Sequence, residues 1–112
     1  MPIESKQLAP GVVVIAVSGR LVMGKEVERM ETVVKELVAD GQKKLFVFDL
    51  SVLDYADSSG IGTFVSCLTT IKKSGSEMRL AGANARIQRL FTLTGVDHLM
   101  SLFPTVAAAT VG

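Results

Sequence analysis

The chain has one cysteine, one histidine, no tryptophan and three prolines among 112 residues, and each scarcity removes a class of protein. A lone Cys67 makes neither a disulfide framework nor a thiolate metal site, and with His98 as the single imidazole no metal-dependent chemistry is expected. An excess of one charge is missing too: 12 basic residues stand against 11 acidic ones, a formal net charge of +1, with no basic tract. That balance argues against an electrostatic grip on nucleic acid or an anionic membrane. The longest apolar run, Val12 to Val17, falls well short of the roughly 20 residues a membrane-spanning helix needs. The first residues also lack the basic-then-apolar order of a signal peptide. A soluble cytoplasmic protein is expected, without cofactor or metal.

What remains is enough for a core. Hydrophobic residues make up 48% of the chain and charged residues 21%, a balance that excludes intrinsic disorder. At about 100 to 200 residues per domain, one domain over residues 1–112 is expected.

Ile3 to Leu8 mixes polar and apolar residues before Ala9-Pro10-Gly11, whose turn chemistry predicts an edge strand entering a hairpin. Val12 to Ser18 is apolar up to its last residue, the pattern of a central strand buried on both faces. From Lys25 to Asp40 the apolar residues Val27, Met30, Val33, Val34, Leu37 and Val38 recur at helical spacing. Gly41 supplies the stop, and Glu31 and Lys35 form an i,i+4 pair on the wet face. Leu45 to Leu50 predicts a second buried strand, followed by a loop with Asp54 and Asp57. Next come a helix from Ser58 to Lys73, a half-buried strand from Glu77 to Gly82, and a helix capped by Asn84 with Gly95 past its end. A short strand over Leu99 to Phe103 and a small helix over Val106 to Val111, opened by Pro104, complete the chain. The crossover rule turns this order into an α/β fold with a mixed sheet, opening hairpin then parallel strands, covered by α-helices.

Two motifs are near misses. Gly19-Arg20-Leu21-Val22-Met23-Gly24-Lys25-Glu26 approaches the phosphate-binding pattern G-x-x-x-x-G-K-[ST], so Gly24 and Lys25 define a small nucleotide-binding protein as one reading. Glu26, however, replaces the hydroxyl that would hold Mg²⁺, and Leu21, Val22 and Met23 are bulky for a loop wrapped around phosphate. Asp57 follows a strand as a phosphoacceptor carboxylate would. The acidic pair needed to hold Mg²⁺ is replaced by Ser18-Gly19-Arg20.

The third motif runs from Asp54 through Gly62 into the second helix. Ile61, Phe64, Val65, Leu68 and Ile71 make its inward stripe, and Ser59, Gly62, Thr63, Ser66, Thr69 and Thr70 its opposite one. No charge occurs from Ser58 to Ile71, where an ordinary exposed helix face would carry Lys and Glu. A smooth uncharged surface lets another backbone approach without desolvating ions, as a docking face requires; packing against a neighbouring helix of the same domain is the other reading. Ser58 sits where this face begins. Its hydroxyl suits an N-cap, and equally suits modification, since a phosphate adds about −1.5 to −2 charges and would repel a partner shaped for the neutral form.

Several segments together resemble the bacterial anti-sigma factor antagonists, small single-domain STAS proteins. They are the apolar strand ending in Gly19, the LFVFDL strand, Asp57-Ser58-Ser59-Gly60-Ile61-Gly62 with its helix, and Arg89-Leu90-Phe91 through Thr94-Gly95. The resemblance implies a STAS-like fold and a partner switch. The unphosphorylated form binds an anti-sigma factor that is also a serine kinase and frees the sigma factor; phosphorylation of Ser58 ends binding, and a serine phosphatase resets it. It further implies that Asp57 shapes the phosphoacceptor's neighbourhood and that Gly60 and Gly62 permit close approach. Asp57, Ser58, Ser59, Gly60, Gly62, Thr63 and Ser66 are therefore the expected partner-binding residues. The chain would be a regulated substrate with no catalytic residue of its own. One departure stands out: family members often carry an acidic residue in a G-x-L-D type segment that helps contact the kinase, and Val22 occupies that place. A constitutive scaffold of the same fold, with Ser58 only capping, is the remaining alternative.

Overall fold

The hairpin at the start of the chain forms around Pro10-Gly11, joining β1 (Ile3–Ala9) to β2 (Val12–Val17) in antiparallel register with Ile3 opposite Val17. A computed structural model describes residues 3–111; the expected domain limits at residues 1, 2 and 112 lie outside the described residues. After β2 come β3 (Gly19–Leu21), α1 (Lys25–Asp40), β4 (Leu45–Asp49), β5 (Leu53–Ala56) and α2 (Ser58–Lys73). The chain continues through β6 (Glu77–Ala81), α3 (Ala85–Thr94), a 3-10 turn (Val96–His98), β7 (Ser101–Phe103) and α4 (Val106–Ala109). The main sheet has the order β1-β2-β4-β6-β7, parallel beyond the opening hairpin, so the mixed α/β architecture expected from the pattern is the one observed.

One face of this sheet carries the principal core. Phe64 of α2 meets Phe48 of β4 edge-on at 5.9 Å and Phe91 of α3 at 5.5 Å, so a single ring ties helix to sheet and helix to helix. Along the inward stripe of α2, Ile61, Phe64, Leu68 and Ile71 are buried, while Val65 is only half-buried. On the other face a smaller cluster of Val47, Ala81 and Ala109 lies under α4.

Four sequence expectations are corrected. β2 is not buried on both faces: Val13, Ile15 and Val17 are buried, but Val12, Val14 and Ala16 are half-covered, because α4, only four residues long, covers that face of the sheet incompletely. Asp54 is not in a loop, since Leu53–Ala56 is a strand, paired in parallel with β3 as a second, two-stranded sheet. Glu31 is not paired with Lys35; it leans toward α2, within 3.4 Å of the Thr63 hydroxyl. The last helix is opened not by Pro104 but by Thr105, whose hydroxyl accepts the Ala108 N–H at 3.0 Å.

Candidate functional site

The small sheet of β3 and β5 fixes the place of the α2 N-terminus. Register sets Leu21 opposite Ala56, both buried, and the next residue after Ala56 turns into the helix. The Asp57 N–H donates to the Leu21 carbonyl at 3.2 Å. Gly60, one turn further on, lies against the same carbonyl so closely that an added Cβ would overlap its oxygen. Only glycine permits that approach.

Asp57 completes the joint and corrects the expected cap: Asp57, not Ser58, is the N-cap of α2. Its Oδ1 accepts the Gly60 N–H at 2.8 Å, while Oδ2 accepts the Met23 N–H at 3.0 Å from across the β3–α1 loop. These main-chain donors, Met23 first and Gly60 second, hold the Asp57 carboxyl below its ordinary pKa by favouring the charged form. Ser58 is thereby relieved of structural duty. It is exposed at the first helical position, and its hydroxyl has no hydrogen-bond partner among the described residues.

The expected docking residues divide. Ser58, Gly62 and Ser66 are exposed, and Asp57 and Ser59 half-buried. Gly60 and Thr63 are in the interior, Gly60 against Leu21 and Thr63, 2% exposed, on the side of α2 that meets α1. Neither is placed to touch a partner directly. The internal-packing reading of the small-residue stripe therefore holds for one edge, which packs against α1, while the other edge is open to solvent. Cys67 follows the packed edge, and burial, with Glu31 nearby, pushes its thiol up to about 12, leaving it protonated and inert.

The threonines of α2 satisfy their hydroxyls within the helix: Thr69, exposed, donates to the Val65 carbonyl and Thr70, half-buried, to that of Ser66, each at 3.2 Å, and the buried Thr63 to that of Ser59 at 3.0 Å. Donors that would otherwise need water are thereby satisfied within the helix.

The sequence reading missed β3, the carbonyl of Leu21 and the bond from Met23. A three-residue strand has no periodicity to detect, and a carboxylate that reaches 34 positions back in the chain leaves no local signature. The same strand corrects the nucleotide reading. Gly19–Leu21 is extended and paired, so only Val22, Met23 and Gly24 link strand to helix, and no loop of the expected length is present to wrap a phosphate.

Compared with known proteins, residues 5–109 match the STAS domain family. An anti-sigma-B factor antagonist of Staphylococcus aureus is 35% identical over 74 residues, which cover 66% of this chain and 68% of that one. An anti-sigma factor antagonist from Mycobacterium paratuberculosis has a similar structure, with a TM-score of 0.79 and 24% identity over 96% of this chain and 88% of that one. The phosphorylated form of the Bacillus cell fate determinant SpoIIAA superposes with a TM-score of 0.74 and 18% identity, over 94% of this chain and 93% of that one.

Proposed function

This chain belongs to the STAS domain family, and from that membership we propose that it is an anti-sigma factor antagonist whose switch is the hydroxyl of Ser58. In the unmodified state the open edge of α2 binds an anti-sigma factor that is also a serine kinase, and the sigma factor is released. ATP belongs to the kinase, and this chain is its substrate rather than a catalyst. A serine phosphatase restores the binding form.

The observation that carries the reading is the division of labour between neighbours: Asp57 caps the helix with both carboxylate oxygens engaged, and Ser58 beside it is exposed with nothing to hold. A phosphate there draws some stabilisation from the helix N-terminus and meets repulsion from Asp57. Because Asp57 already holds the Gly60 N–H, the new charge stays at the surface, at the mouth of a face with no charge of its own. Bringing an uncharged partner surface against it would desolvate that charge without compensation, and binding is lost.

The test is phosphorylation in vitro by anti-sigma factor kinases of the source organism, with the site mapped by mass spectrometry. One phosphate on Ser58 is expected, and none on Ser58→Ala. Modification elsewhere, or an unchanged yield from Ser58→Ala, contradicts the assignment.

A further inference from the structure

We infer that two copies of this chain associate through the free edge of β1, antiparallel about a two-fold axis at Ser5, with Glu4 of each copy opposite Lys6 of the other. The five-stranded sheet ends in two strands that differ in how they are protected. At one end β7 is blunted, since it has three residues and Pro104 follows at once. At the other end β1 has seven, of which Glu4 through Ala9 are exposed, and no proline interrupts it. It pairs with β2 alone, so along its outer side main-chain N–H and C=O groups are unpaired among the described residues, a template for another strand. Its one break in register falls after Gln7, outside the segment Ile3 to Gln7 that would pair.

Charges on an edge strand usually discourage such pairing, and β1 has two. Their signs and spacing turn them into a register signal. Glu4 lies opposite Ala16 and Lys6 opposite Val14, which puts both on the face that α4 covers incompletely. Neither side chain has an ion-pair or hydrogen-bond partner among the described residues. A two-fold axis perpendicular to the sheet keeps that face on the same side in both copies and sets even-numbered residues opposite even-numbered ones. With the axis at Ser5, Glu4 meets Lys6 of the second copy, Lys6 meets its Glu4, and Ile3 meets its Gln7. Moving the axis by one residue sets Glu4 against Glu4 or Lys6 against Lys6, which like-charge repulsion opposes. The strand is thus complementary to itself in one register.

The surrounding charges do not oppose this arrangement. Asp49 lies in the cross-strand row of Glu4, beyond Ala16, and adds to the attraction for Lys6 of the second copy. Arg79 lies in the row of Lys6, beyond Val14 and Val47, and is engaged by Glu77 and the Ala109 carbonyl. On the opposite face Ser5 and Gln7 are uncharged, and α1, which packs there, carries acids and bases interspersed from Lys25 to Asp40. Only about five residues of each strand pair, which falls short of the roughly 1,000 Å² of a stable complex, so the association is a transient one. Asp57, Ser58, Gly60 and Leu21 all lie outside β1, and the inference does not depend on modification of Ser58.

Sedimentation equilibrium of the purified chain in low-salt buffer, from about 10 µM to about 1 mM, tests the pairing. Wild type should show a reversible monomer–dimer equilibrium. Glu4→Lys and Lys6→Glu should each weaken it at least about fivefold, because two attractive pairs become repulsive. Combining the two substitutions in one chain should restore it to within about threefold of wild type. An equal mixture of the two single variants should associate more tightly than either alone, since each then meets its opposite. Unfolding midpoints should stay near wild type, as both side chains are exposed. A wild-type chain that is monomeric throughout, or that grows beyond a dimer, overturns the inference. So does dimerisation indifferent to the single reversals, or failure of either the combined variant or the mixture to recover it.

Discussion

Gly60 and Gly62 lie in the first turns of the same helix and meet opposite surroundings. Gly60 is buried against the Leu21 carbonyl with no space for a methyl group; Gly62 is exposed, with nothing within 4 Å of where a Cβ would stand. The short motif that contains them therefore has two functions in alternation. One side fastens α2 to the β3–β5 sheet, and the other is left as surface. A fixed helix end gives the exposed hydroxyl of Ser58, at its first position, a defined place.

The contrast is broken most severely by Gly60→Ala. The added methyl group must displace backbone, and a loss of about 2–4 kcal/mol is expected in denaturant unfolding. Stability within a few tenths of wild type would mean the joint at Leu21 is loose. Asp57→Asn strikes the same joint more gently, weakening two charge-assisted bonds, and should lower the thermal midpoint by less than Gly60→Ala. Its pH dependence has a definite sign. The folded carboxyl titrates below its unfolded value, so its contribution is complete above the ordinary carboxylate pKa and disappears as pH falls through the depressed one. Melting curves of wild type and Asp57→Asn should accordingly converge in acid; a gap that persists there would place the effect in packing.

On the open side the signs reverse. Gly62→Ala should raise stability by about 0.5–1 kcal/mol, because alanine is the better helix former and meets no neighbour. It should also weaken kinase binding by crowding the surface. Smallest of all is Ser58→Ala, expected within about 0.5 kcal/mol of wild type, as for surface positions without structural duty. A larger drop would return Ser58 to the role of cap.

How much of this was readable in the chain follows from how local each signal is. The stripe through Ile61, Phe64, Leu68 and Ile71, the Asn84 cap and the LFVFDL strand all depend on neighbours in sequence, and each appears in the fold where expected. The absence of charge from Ser58 to Ile71 was equally plain and marked the helix as unusual. What was illegible depends on distance along the chain. Thr63 and Ser66 look alike on a helical projection, yet α1 covers only the former. Gly60 and Gly62 read as two equivalent small residues until β3 supplies the carbonyl that separates them. Asp57 looked like a neighbour shaping Ser58, and its bond to Met23 makes it the tie between two loops.

The central claim is that an uncharged surface gated by one exposed hydroxyl binds the anti-sigma factor kinase. Its most direct test is the affinity of that kinase for the purified chain carrying phosphate on Ser58, beside the unmodified chain in the same buffer. A loss of roughly 100-fold or more is predicted. Equal affinities for the two forms would contradict the account.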